Sequence, residues 1–296
     1  MMNRFLVSIV GLSAAALGLS VAISAQNKTQ PTWPDVNWRL KPITDQNKKP
    51  APRHSIAGSW SSAGGPDAGT MAAGIQLHPN NGKPENMLPF TPKGLALYKT
   101  HKPTEGVDAV PPGQQNDPRN ECEPLGFPRW NHYSMRFNQI FQDDSKIAIL
   151  YHYDNRWRII WTDGRPLPKV VDGGVLVDGQ LREQRWMGYS VGKWIDDTTL
   201  QVETVGTLPE DRVWLDNSGR PVSDQVQVTE TFRRLDYDTL EWDETVNDPI
   251  MYTKPIDALK MRFRLQDSNT GENENICSPG NYKLYNDAFG NAEDNK

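Results

Sequence analysis

Between about residue 132 and residue 265 the chain alternates apolar and other side chains with a period of two, and few folds tolerate that pattern. Ile147, Ile149, Tyr151 and Tyr153 share one strand face; Ala148, Leu150 and His152 share the other. Trp157, Ile159 and Trp161 alternate with Arg158 and Ile160 ahead of a turn at Asp163-Gly164-Arg165-Pro166. Asp172-Gly173-Gly174 and Asp178-Gly179 mark two more turns. Further strands read through Leu200, Val202 and Thr204, through Val226, Val228, Glu230 and Phe232, through Leu240, Trp242, Glu244 and Val246, and through Met261, Phe263 and Leu265. No helical pattern separates these strands, so the crossover helices of a parallel α/β sheet have no place. The expectation is one all-β domain over 58–270, an antiparallel β-barrel or sandwich.

The rest of the chain reads differently. Residues 26–57, with Pro31, Pro34, Pro42, Pro50 and Pro52, form an irregular N-terminal arm, and 271–296 a polar C-terminal tail. Residues 61–128 form a long loop region rich in Gly and Pro, holding one helical candidate from Pro92 to Lys99. Residues 1–25 have the anatomy of a cleavable signal peptide: Arg4, an uncharged run from Phe5 to Ile23, and Ile23-Ser24-Ala25 before Gln26. A membrane anchor is the competing reading, and the small residues at the exit favour cleavage. The expected location is periplasmic or secreted, with no membrane span after cleavage. In an oxidising compartment Cys122 and Cys277 read as a disulfide, against two free thiols.

Composition narrows function by exclusion. Lys and Arg total 32 against 37 Asp and Glu, a net charge of −5, with no basic block, which argues against a nucleic-acid partner. His54, His78, His101, His132 and His152 form no HxH, HxxxH or HExxH group, and no CxxC pair exists, so neither a metal nor another cofactor is expected. Gly188-Tyr189-Ser190-Val191-Gly192 matches the G-x-S-x-G nucleophile elbow. A strand follows it rather than a helix, and no His comes after it in the chain, so it reads as a glycine-flanked strand.

Glu230 is the most informative single residue. It shares strand parity with Val226, Val228, Phe232 and Arg234, and a carboxylate on an apolar face must be paired or shift its pKa. Arg234, Arg158 or Arg185 is its candidate partner. The pair is either a structural ion pair or a polar group aimed into a ligand cavity. Tyr151, Trp157, Trp161, Trp186 and Tyr189 belong to an aromatic set that serves as core or as ligand lining.

Gly58-Ser59-Trp60 and Gly192-Lys193-Trp194 resemble the strand-opening G-x-W of lipocalin-like barrels. The ordered run Asn116-Asp117-Pro118, Cys122-Glu123-Pro124-Leu125-Gly126-Phe127-Pro128-Arg129, Thr162-Asp163-Gly164-Arg165-Pro166, Trp214-Leu215-Asp216, Gly219-Arg220-Pro221, Glu230-Thr231-Phe232-Arg233-Arg234 and Asp248-Pro249 resembles a large group of uncharacterised exported bacterial proteins. The resemblance implies a β-rich, lipocalin-like, exported protein and carries no activity with it. In that group a His follows the Pro of the Gly-x-Pro turn and another precedes the Glu-x-Phe strand. Here Val222 and Gln227 or Val228 stand in those places, so any site built on those His is lost or replaced.

The leading functional expectation is a small-molecule-binding barrel that holds an apolar or aromatic ligand, with Tyr151, Trp157, Trp161, Trp186, Tyr189 and Arg234 as ligand contacts. The alternative is an enzyme doing acid/base chemistry in the same cavity, of lyase, isomerase or hydratase type. It would use Glu230, His132 or His152 as proton carriers and Arg158 or Arg185 to stabilise negative charge. A second alternative is a glycan-binding β-sandwich that uses exposed Trp.

Overall fold

Alternating inward side chains on nine strands close a sheet onto itself. In the computed structural model the described residues are 42–43, 49–62, 74–132, 138–151, 156–168, 185–208, 212–267 and 276–278, with Gly280 and Leu284. The barrel strands are β1 (Gly58–Ser62), β4 (Asn138–Gln142), β5 (Lys146–Tyr151), β6 (Arg156–Trp161), β7 (Tyr189–Trp194), β8 (Thr199–Val205), β9 (Gln227–Arg234), β10 (Thr239–Asn247) and β11 (Ile256–Leu265). They run in the closed order β1-β11-β10-β9-β8-β7-β6-β5-β4, with β4 pairing back to β1. A short hairpin, β2 (Gly74–Ile75) with β3 (His78–Pro79), and one helix, α1 (Pro92–Tyr98), lie in the preceding loop region. No described helix is long and apolar enough to cross a membrane.

The barrel is antiparallel except between β6 and β7, which pair in parallel. Strict alternation of direction around a closed ring needs an even number of strands, so nine strands force one parallel neighbour. A parallel pair needs a long connection, and residues 162–188 supply it. The two Asp-Gly turns expected at 172–174 and 178–179 fall in that connection, outside the described residues, as do His152, Tyr153, the signal-like stretch 1–25, and most of the arm and the tail.

The inward faces follow the sequence alternation. On β9 Val228, Glu230, Phe232 and Arg234 are buried; on β10 Leu240, Trp242, Glu244 and Val246 are. Direct cross-strand pairs stack these faces in layers: Phe232 against Trp242, Glu230 against Glu244, Val228 against Val246. The barrel body is packed with Trp60, Ile149, Leu200, Phe232, Trp242 and Phe263. The Phe232 and Trp242 rings lie 4.5 Å apart.

A second apolar core caps one end of the barrel. Ile75, Leu88, Phe127, Val213, Val222 and Met251 pack there against Val228 and Val246. The Gly- and Pro-rich region is therefore a built cap. Helix α1 begins at Thr91, whose hydroxyl accepts from the Gly94 N–H, with Pro92 in the first turn. Thr91 also bonds to the Met251 and Ile250 carbonyls, which presses the helix onto the β10–β11 connection. Cys122 and Cys277 are disulfide-bonded with Cα atoms 5.4 Å apart, joining this cap to the C-terminal segment.

Gly94 is where the helix touches the connection most closely, and a Cβ there would run into the Met251 carbonyl. Gly94→Ala is expected to destabilise the protein by about 1–3 kcal/mol, the range for overpacking. A lowered urea midpoint with an unchanged slope would show it.

Candidate functional site

Eight buried polar side chains meet between the two apolar cores. Strand alternation turns Arg158 of β6, Ser190 of β7, Thr204 of β8, Glu230 of β9 and Glu244 of β10 inward, while Tyr151 ends β5. A single 3-10 turn, Arg129–His132, plugs the barrel end and delivers Asn131 and His132.

The register sets the problem this layer solves. Glu230 and Glu244 are direct cross-strand partners, and like charges in that position repel. Asn131 lies between them and donates to both, at 2.9 Å to Glu230 Oε1 and 2.5 Å to Glu244 Oε2. The Asn131 carbonyl accepts from the Tyr151 hydroxyl at 3.1 Å. Arg158 grips Glu230 through both terminal nitrogens, at 2.9 Å from Nη1 to Oε1, and donates to Ser190 at 3.0 Å and Thr204 at 2.7 Å. Its guanidinium also lies over the Phe127 ring, 4.2 Å from the centroid. His132 donates from Nδ1 to the Leu215 carbonyl at 2.9 Å and from Nε2 to Glu244 at 2.6 Å.

The electrostatics follow from these contacts. Burial disfavours a charged His132, but the Glu244 carboxylate and the Leu215 carbonyl outweigh it and raise the ring's pKa. Both ring nitrogens face acceptors, which is the pattern of an imidazolium. Burial pushes the Glu230 carboxyl upward and Arg158 opposes that push; Arg158, disfavoured by burial and favoured by Glu230, ends above its ordinary value. A two-pronged contact needs two acceptor oxygens, so the pair is guanidinium and carboxylate. Burial also lifts the Tyr151 phenol, which stays neutral. Two cations then balance two carboxylates.

A second buried ion pair holds the turn in place. Arg129 bonds Asp117 at 2.8 Å and 2.5 Å and reaches Asn217 at 2.9 Å. Burial would raise the Asp117 carboxyl, and Arg129 beside it pulls it below its usual range instead.

Of the expected site residues, Glu230, His132, Arg158 and Tyr151 meet in this layer, and Glu230's partner is Arg158. The others lie elsewhere. Trp157 is on the outer wall, 67% exposed. Trp161 is also on the outer wall, beneath the Arg165 guanidinium. The parity that turns Arg158 and Ile160 inward turns both Trp out, so neither lines the barrel interior. Tyr189 faces out and accepts from Arg165. Arg185 lies over the Tyr189 ring, and Trp186 packs on the capping core below Arg212. Arg234 sits at the opposite end of the barrel on Trp60, 4.6 Å from the ring centroid. Ser190 is a strand residue bonded to Arg158, in keeping with the strand reading.

Glu244 and Asn131 were not among the expected site residues. Glu244 carries the same signal as Glu230, an acid in phase with Leu240, Trp242 and Val246. Asn131 sits in an irregular turn, where no periodicity marks it. Among the described residues, no group of three His, Cys, Asp or Glu side chains is arranged to hold a metal ion. Comparison with protein-family models, curated proteins and solved structures finds no match to this chain.

Two predictions follow from the network. Arg158→Met strands a buried carboxylate and is expected to lower stability by about 3–5 kcal/mol, while Arg158→Met with Glu230→Met recovers most of it. Urea unfolding of the single and double variants measures the difference. A His132 pKa raised by folding means stability that is complete below about pH 6.5, the unfolded value, and lost as pH rises through the folded value. The stability gap between wild type and His132→Asn should therefore shrink toward alkaline pH; a gap that widens would contradict the imidazolium.

Proposed function

We propose that the protein binds a small amphipathic anion, an apolar or aromatic body bearing a carboxylate or similar group, at the rim of the barrel beside Arg234. The observation that carries this is a recess of about 790 Å³ at the end opposite the cap, within the usual size of small-molecule sites. Ile43, Phe141, Tyr237 and Leu265 contribute apolar walls and Arg234 a buried cation, with Asp267 also on the lining. The Arg234 guanidinium bonds to backbone carbonyls of Ala57, Asp236, Tyr237 and, at 3.5 Å, Ser55, and no described carboxylate lies within ion-pair distance. Burial lowers its pKa to about 10. Asp236 and Asp238 act on it only from beyond ion-pair distance, so a buried charge held directly by carbonyl dipoles gains from an anionic partner.

This reading places the ligand at the mouth of the barrel, since the body is filled by the protein's own aromatic side chains. It fits the resemblance to exported lipocalin-like proteins, and we extend that to an exported location. Acid/base catalysis in the polar layer has less support. Both His132 nitrogens and both Glu230 oxygens are already bonded within the protein.

The test is titration with the fluorescent anion 8-anilinonaphthalene-1-sulfonate and with neutral N-phenyl-1-naphthylamine. The anion should bind more tightly. Ser59→Glu, which adds a carboxylate to the recess while leaving Arg234 in place, should weaken the anion tenfold or more and spare the neutral probe. Equal binding of both probes, or no effect of Ser59→Glu, would overturn the reading.

A further inference from the structure

The outside of the barrel has two unlike walls. Across β9–β11 most outward charges are paired: Arg233 with Glu241 and Asp243, Arg262 with Glu241, and Arg264 with Asp238. Such a lattice is at home in water. Across β4–β7 the outward residues are Phe141, Leu150, Trp157, Ile159, Trp161 and Val191, along with Gln139, Ala148, Tyr189 and two lysines. No acid lies on that wall among the described residues. Cross-strand pairing makes it continuous: Phe141 is beside Ala148, Ala148 beside Ile159, Leu150 beside Trp157, and Trp161 beside Val191. Phe141 is 58% exposed and Trp157 67%. A soluble protein leaves so contiguous an apolar surface open only where something docks.

The chemistry of the wall selects the occupant. A sugar needs hydrogen-bonding groups around its stacking ring, and here the cross-strand partner of Trp157 is Leu150. An anionic lipid surface is disfavoured by a net charge of −5 and by Asp143, Asp144 and Asp163 at one end of the wall. The charges at the margins instead match each other. The β4–β5 turn carries exposed Asp144, with Lys146 just beyond it; the β7–β8 side carries exposed Lys193 and Glu203. Asp144, Lys193 and Glu203 have no ion-pair partner among the described residues. A two-fold axis through the wall exchanges its two sides, bringing Asp144 toward Lys193 and Lys146 toward Glu203 of the other copy. From strand spacing and rise, four strands of five or six residues cover roughly 20 by 20 Å. The projecting Trp157 and Phe141 add to that area, and two copies together cover roughly 1,000 Å², the size of a weak, transient contact.

We propose that the β4–β7 wall is a docking face for a second copy of this chain, forming a two-fold dimer with exposed Trp157 and Phe141 in the contact.

Sedimentation equilibrium of the purified protein from about 1 to about 200 µM tests it. Wild type should show a monomer–dimer equilibrium. Trp157→Glu should shift it toward monomer at least tenfold, with unchanged circular dichroism because the side chain is exposed. Lys193→Glu should weaken the dimer, and adding Asp144→Lys to Lys193→Glu should restore it, a rescue that mere loss of folding cannot produce. Wild type that stays monomeric throughout the range overturns the proposal. So does a dimer indifferent to Trp157→Glu, or a monomer that instead co-sediments with phosphatidylglycerol vesicles or with insoluble polysaccharide through Trp157.

Discussion

The fold depends on two carboxylates that register places side by side. Glu230 and Glu244 face each other across β9 and β10 at the boundary between the apolar body of the barrel and its apolar cap. Buried side by side they need donors, and the donors come from far apart in the chain: Arg158 from β6, and Asn131 and His132 from the turn that closes the barrel end. Satisfying the acids therefore positions the turn, and the turn positions the cap. Apolar packing alone would let a cap settle in several ways. A layer in which every donor must meet particular acceptors permits few, which is the specificity argument for buried polar groups applied to this molecule.

Closure of the sheet supplies the other constraint. Nine strands in a ring require one parallel pair, and the chain meets this with the long connection between β6 and β7. The parallel pair spans only Ile160 with Ser190 and Trp161 with Val191. Arg158 bridges the same seam from inside by donating to the Ser190 hydroxyl, which is itself bonded to Thr204 of β8. The thinnest ladder in the barrel is thus reinforced by a buried side-chain bond across it.

Much of this was legible in residue order. The alternations of β8–β11 mark their inward faces directly, because each has mainly apolar residues on one parity and mainly polar residues on the other. Strand β6 misleads for a physical reason. Trp157, Ile159 and Trp161 are the more apolar set, yet Arg158 and Ile160 point inward, because a buried cation with a matched carboxylate outweighs a count of apolar residues. For the same reason parity could nominate Arg158, Arg185 and Arg234 as partners of Glu230 without choosing among them. That choice rests on which strands neighbour β9 through the ring. The parallel seam and the role of Asn131 were not legible, because one is a property of closure and the other of an irregular turn.

The two buried arginines of the barrel divide its labour by what surrounds them. Arg158 has a carboxylate on both prongs and two hydroxyls besides, so a ligand reaching it would first have to separate a buried ion pair. That separation costs about 3–5 kcal/mol, a large share of the roughly 8 kcal/mol that a micromolar ligand has to offer. Arg234 faces the carbonyls of Ala57, Asp236 and Tyr237 and the ring of Trp60, all of them neutral. An anion placed there would have no direct ion pair to break. The same residue type is thus gripped by a carboxylate at one end of the barrel and held by backbone carbonyls at the other.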